Sequence, residues 1–146
     1  MPKKPLKNKT ELSMFFVIGK DGKPKRVEMM EWAKGLNQRK PGTGMGNNVL
    51  RTEFKNKRKE NVILISTIFL GMDHSFSLGT KPVLWETMIF CKSALVKTKL
   101  RDLGIFRYDD YQERYDSQAK AIKEHKQIAD IIKKHFPQYL FSQIGC

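Results

Sequence analysis

The sequence predicts an α+β domain: about five mainly antiparallel strands in one sheet, with two helices packed on one face. Three observations carry that expectation. Val62-Ile63-Leu64-Ile65-Ser66-Thr67-Ile68-Phe69-Leu70 is rich enough in β-branched residues to be a central strand. Turn signals fall between short extended segments at Lys20-Asp21-Gly22-Lys23 and at Lys55 to Glu60, as hairpins require. Two segments, 28–36 and 117–135, instead carry apolar residues at helical spacing.

Taken in order, residues 1–12 are rich in Lys, Pro and Asn without hydrophobic period, and are expected to form a disordered basic tail. Residues 13–146 are expected to form a single domain. Met14 to Gly19 and Pro24 to Val27 read as a hairpin. Met29, Trp32, Ala33 and Leu36 then make one helical stripe, with Glu28 and Glu31 suited to its N-terminal turn. The loop Lys40 to Asn48 contains three glycines, but lacks the preceding strand and closing Gly-Lys-Ser/Thr of a phosphate-binding loop. Val49 to Phe54 and Asn61 to Leu70 form a second hairpin, Gly71 to Pro82 a long loop, and Val83 to Cys91 a returning strand. Residues 92–114 read as a surface excursion in which Ser93 to Leu103 could be a short helix and Arg107 to Tyr111 a loop. Asp116 or Ser117 caps the last helix, whose stripe is Ile122, Ile128, Ala129, Ile132 and Phe136; Pro137 ends it.

Composition limits the classes of function. A chain of 146 residues can bury a core without disulfides or metal. No apolar run approaches the roughly 20 residues that span a bilayer. With no secretory signal and only Cys91 and Cys146, a cytoplasmic location is expected. Charge is unevenly placed within the net +13: residues 1–60 hold 16 basic and 6 acidic side chains, residues 61–91 hold 1 and 2, and residues 92–146 hold 11 and 7. Most of the excess therefore lies in the tail and turns. Arg51, Lys55, Lys57, Arg58 and Lys59 are the candidate nucleic-acid-binding residues, although no helix-turn-helix, zinc-finger or RNA-recognition pattern accompanies them.

Alternation along Val83 to Phe90 places Glu86 with Leu84, Met88 and Phe90, so a carboxylate sits in apolar company and needs a cation, hydrogen bonds or a proton. His125 falls on the inward stripe of the last helix. Asp73-His74 opens the long loop at the end of the central strand. If the last helix packs over the Leu84/Glu86 face, then Asp73, His74, Glu86 and His125 form an acid/base inventory, with His74 and His125 as possible metal ligands. No sequence-local metal-ligand spacing supports a metal, and no cofactor is indicated. Trp85, Phe90 and Phe69 follow strand alternation as core residues.

Ser66-Thr67-Ile68-Phe69-Leu70-Gly71-Met72-Asp73-His74, Trp85-Glu86-Thr87-Met88-Ile89-Phe90, and Glu113-Arg114-Tyr115 with Ala119 and His125 downstream resemble a set of uncharacterised small proteins encoded by bacteriophages and prophages. The resemblance spans roughly residues 13–135. It implies that Asp73, His74, Glu86, Thr87, Tyr115 and His125 matter to a shared function. The Lys-rich tail, the Lys55 to Glu60 turn and the 92–112 segment depart from that pattern. The leading expectation is a phage-type accessory protein of the host cytoplasm, more a binder than an enzyme. Its partner would bear phosphate: nucleic acid, or a nucleotide held near Asp73, His74, Glu86, Thr87 and Tyr115. The alternatives are a metal-assisted or acid/base hydrolase-like enzyme using the His/Asp/Glu cluster, and an interaction protein that blocks a host or defence factor.

Overall fold

The computed structural model describes residues 13–37, 48–73, 81–107 and 110–145. The basic tail, most of the glycine-containing loop, and His74 lie outside them. Strands β1 (Phe15–Ile18) and β2 (Pro24–Val27) form a two-stranded antiparallel ribbon, followed by helix α1 (Met29–Asn37). The main sheet contains β3 (Asn48–Lys55), β4 (Asn61–Phe69), β5 (Trp85–Cys91), β6 (Tyr111–Tyr115) and β7 (Leu140–Gly145), in the antiparallel order β6-β5-β4-β3-β7. Helix α2 (Ala94–Asp102) joins β5 to β6, and helix α3 (Gln118–His135) joins β6 to β7. The α+β class and the five-stranded antiparallel sheet therefore agree with the sequence reading, although the membership of the sheet differs. The N-terminal hairpin forms its own ribbon, and β6 and β7 supply the two edges instead.

The central strand is where β-branched residues placed it, with Ile63, Ile65, Thr67 and Phe69 buried on one face. That face carries the helices. Phe54, Ile63, Ile65 and Ile89 of the sheet pack against Val96 and Leu100 of α2 and Ile128, Ala129, Ile132 and Phe136 of α3. Ser93 and Ser117 cap α2 and α3 by accepting from Val96 N and Lys120 N.

The segment 92–114 is consequently no surface excursion. Val96, Leu100, Ile105 and Phe106 are core residues, because α2 closes the side of the helix layer that α3 alone would leave open. Part of the Arg107–Tyr111 loop becomes the start of β6, where Tyr111 pairs with Ile89. The β1–β2 ribbon docks beside the end of β4 through Phe16 N donating to Gly71 O and Asp73 N donating to Met14 O, both 2.7 Å. Phe16 thereby joins Phe69, Leu84, Trp85, Tyr115 and Ala121 in a second cluster.

Candidate functional site

Thr52, Thr67 and Thr87 occupy inward positions on β3, β4 and β5, under α3, where the inward residues flanking them along their own strands, Leu50 and Phe54, Ile65 and Phe69, and Trp85 and Ile89, are apolar or aromatic. Three hydroxyls in a dry layer need partners. His125, fully buried on α3, supplies them: its Nε2 lies 2.7 Å from Thr52 Oγ1 and its Nδ1 lies 2.7 Å from Thr67 Oγ1. Thr67 Oγ1 is 2.6 Å from Thr87 Oγ1, and Thr52 donates to Gln143 Oε1 on β7 at 3.2 Å. Each hydroxyl has one proton, which fixes the direction of the whole chain. Because Thr52 gives its proton to Gln143, it accepts from His125 Nε2–H. Nδ1 then accepts from Thr67, and Thr67 accepts from Thr87.

One neutral imidazole thus ties the helix to four of the five strands. Burial pushes its pKa down to about 4, with the nearby charge of Lys126 adding to the effect. Both of its ring nitrogens are engaged within the fold, and its side chain is closed to solvent.

Glu86 lies on the opposite face of the sheet. The strand alternation was read correctly, but α3 covers the Trp85/Thr87 face, not the Leu84/Glu86 face, so Glu86 and His125 do not converge. Glu86 Oε2 accepts from Gln112 Nε2 at 2.7 Å and from Arg114 Nε at 2.9 Å, both on β6. Its surroundings are therefore not wholly apolar: an edge strand at the end of the segment expected to be a surface excursion provides the cation. Phe90, on the same face, is 46% exposed, so it is not a core residue. Arg114→Ala is expected to lower stability by about 1–2 kcal/mol in urea unfolding at pH 7. It leaves a nearly buried carboxylate with one neutral donor, whereas its own exposed position moderates the loss.

Asp73 and Tyr115 also have engagements within the fold. Asp73 Oδ1 accepts from Val83 N at 3.0 Å, closing the chain across the long loop. Tyr115 and Tyr111 hydroxyls lie 3.1 Å apart, and Tyr111 donates to Glu124 Oε1 at 2.9 Å. Burial raises both phenol pKa values, so both keep their protons. Among the described residues, no group of three or more His, Cys, Asp or Glu side chains is placed to hold a metal ion.

The basic candidates divide into two sets. Arg51 and Lys55 flank Glu53 on β3 and pair with it at 2.9 and 3.3 Å. Burial works to raise the Glu53 pKa, but hydrogen bonds and charge from Lys55 and Arg51 prevail and hold it below the usual carboxylate value. Lys57, Arg58 and Lys59 form no ion pair among the described residues and are exposed in the β3–β4 turn. That turn is rigidly organised by Asn56: its Oδ1 accepts from Arg58 N and Glu60 N, both at 3.0 Å, and its carbonyl accepts from Lys59 N at 3.0 Å. Lys59 adopts φ 61°, a left-handed conformation that favours glycine.

Beside the turn lies a cleft of about 330 Å³ lined by Asn56, Lys57, Arg58, Glu60, Gln138 and Tyr139. Tyr139 stacks on Phe136 at the end of α3. Lys133, Lys134 and His135 fill the last turn of that helix, where its carbonyls favour cations. Lys99 comes across from α2 to donate to His135 O at 2.8 Å. One end of the molecule is therefore cationic.

The other end holds a larger cleft of about 490 Å³, where Lys23 and Lys81 face Asp116, Ser117 and Gln118 next to Trp85. Its charges are mixed, since Asp116 is held below its usual pKa by its bond to Lys120. Among the described residues, Trp85 Nε1 is a buried donor with no partner.

Comparison with known protein families, with curated proteins and with solved structures finds no match. Among the described residues, no helix is long and apolar enough to cross a membrane. Sequence reasoning missed Thr52, Thr67 and Gln143. The signal for the two threonines was a polar residue at an inward position of an otherwise apolar strand; Gln143, on an exposed edge strand, carried none.

Proposed function

We propose that this is a small accessory protein of phage type that binds the phosphodiester backbone of nucleic acid at its cationic end, as a binder rather than a catalyst. The observation that carries the reading is the Lys57-Arg58-Lys59 turn. A lysine occupies a left-handed position that glycine would take with less strain, inside a loop whose backbone Asn56 already holds in place. Side chains presented in this way lose little further backbone freedom on binding. Lys133 and Lys134 belong to the same end and extend the positive surface.

Support also comes from what the remaining candidates do. Asp73, Glu86, Thr87 and His125 are each held by hydrogen bonds within the fold, and Glu86 lies on the opposite face of the sheet from Thr87 and His125, which favours a surface partner over a ligand held among them. Flexible Lys and Arg side chains on a turn neutralise phosphates without reading base edges, so affinity should depend little on sequence.

Fluorescence anisotropy with a labelled 20-base-pair duplex across a salt series tests the reading. Binding is expected to weaken steeply, with log K falling by about 0.9 per decade of salt for each phosphate neutralised and about four phosphates involved. Absence of binding at 50 mM salt would overturn it.

A further inference from the structure

The two edges of the main sheet are built differently. Edge strand β6, Tyr-Gln-Glu-Arg-Tyr, carries two charges, the usual protection against pairing with another chain. Edge strand β7, Leu-Phe-Ser-Gln-Ile-Gly, carries no charge, no proline and no bulge over its whole register with β3, and all six of its residues are exposed. Leu140 is 61% and Ile144 67% exposed. Among the described residues β3 is its one partner strand, and half of the backbone N–H and C=O groups of β7 point away from it and offer a pairing edge.

From this we infer that β7 pairs antiparallel with β7 of a second copy, joining two five-stranded sheets across a twofold axis. The pattern of the strand selects a copy of itself over an unrelated strand. Continuous sheets require paired residues to lie on the same face, which leaves two registers that each pair five residues, centred on Ser142 or on Gln143; the one that sets apolar side chains opposite each other on the outer face places Ser142 opposite Ser142. Leu140 then lies opposite Ile144 of the other copy, and Ile144 opposite Leu140, on the face away from the helices. The sequence around Ser142 is thus palindromic in character, apolar-polar-apolar on alternate residues, as an isologous interface demands. Both apolar pairs lose water on pairing, and two serine hydroxyls meet at the axis.

Because the strands run antiparallel, the cationic ends of the two copies point in opposite directions. Lys133, above Phe141 in each copy, is carried toward the axis, so added salt strengthens this pairing while weakening nucleic-acid binding. The inference stands independently of the nucleic-acid reading.

Sedimentation equilibrium of the full chain at high micromolar concentration is expected to give about 34 kDa, twice the 17.0 kDa chain. Ile144→Glu places a carboxylate beside Arg51 of β3, its cross-strand neighbour, which the fold tolerates. It is expected to weaken dimerisation more than tenfold. With Cys91→Ser and Cys146→Ser as background, Ser142→Cys is expected to form a covalent dimer on oxidation, which fixes the register even if Ile144→Glu disturbs folding. A wild-type monomer at 500 µM, or a dimer that Ser142→Cys does not cross-link, would overturn the inference.

Discussion

Replacing His125 with alanine is expected to lower stability by about 3–5 kcal/mol, as much as truncating a fully buried core phenylalanine. The imidazole is wholly buried, so its removal leaves a cavity. It also strands the Thr52 and Thr67 hydroxyls, each of which forfeits a hydrogen bond in a layer closed to water. The same group sets the response to acid. In the unfolded chain the imidazole titrates near 6.5, and in the fold burial lowers this to about 4. As pH falls, the unfolded state therefore takes the proton first. Stability is intact above about pH 6.5 and declines progressively toward pH 4, by up to about 3 kcal/mol. Urea unfolding between pH 7.5 and 4.5 checks this: wild type loses stability across the window, and His125→Ala, already destabilised, shows a much flatter profile there. Equal slopes for both proteins would mean that His125 is not the group responsible.

The second large effect concerns binding. Reversing the turn by Lys57→Glu, Arg58→Glu and Lys59→Glu is expected to reduce affinity for duplex DNA at least 100-fold at 100 mM salt. It should also remove about three from the slope of log K against log salt. The fold should survive, because the side chains are exposed and the turn is held by Asn56 through main-chain groups. Arg51→Gln, in contrast, should change affinity little, since that guanidinium is already engaged by Glu53. Anisotropy on the two variants separates the turn from the +13 charge as a whole. A similar loss in both would make the charge diffuse in its action.

How much of this was legible in the residues depended on how strongly each segment declared a face. The β-branched run of β4 and the capped, striped α3 were readable because both bury one continuous apolar surface. Strand β6 was not, since an edge strand with Gln112, Glu113 and Arg114 in its middle has the composition of a loop. Strand β7 was missed because it is exposed throughout and takes its place only by pairing with β3.

The site followed the same logic. Alternation separated Glu86 from Thr87, and the helix stripe turned His125 inward. Nothing local said which face of β5 the helix would cover, because Leu84, Met88 and Phe90 on one side look as apolar as Val83, Trp85 and Ile89 on the other. The choice is made by tertiary contacts: Thr52, Thr67 and Thr87 supply polar partners for His125 on the helix face, and Arg114 reaches Glu86 on the open face. Those contacts join residues 20 to 73 positions apart, beyond the reach of periodicity.

The most direct measurement is a two-dimensional ¹⁵N–¹H correlation titration of the full chain with a short DNA duplex at 50 mM salt. The amides of residues 56–60, 133–136, 138 and 139 are expected to shift together and to saturate together. Shifts confined to residues 23, 81–86 and 116–118, around the cleft beside Trp85, would place the ligand at the opposite end and contradict the account.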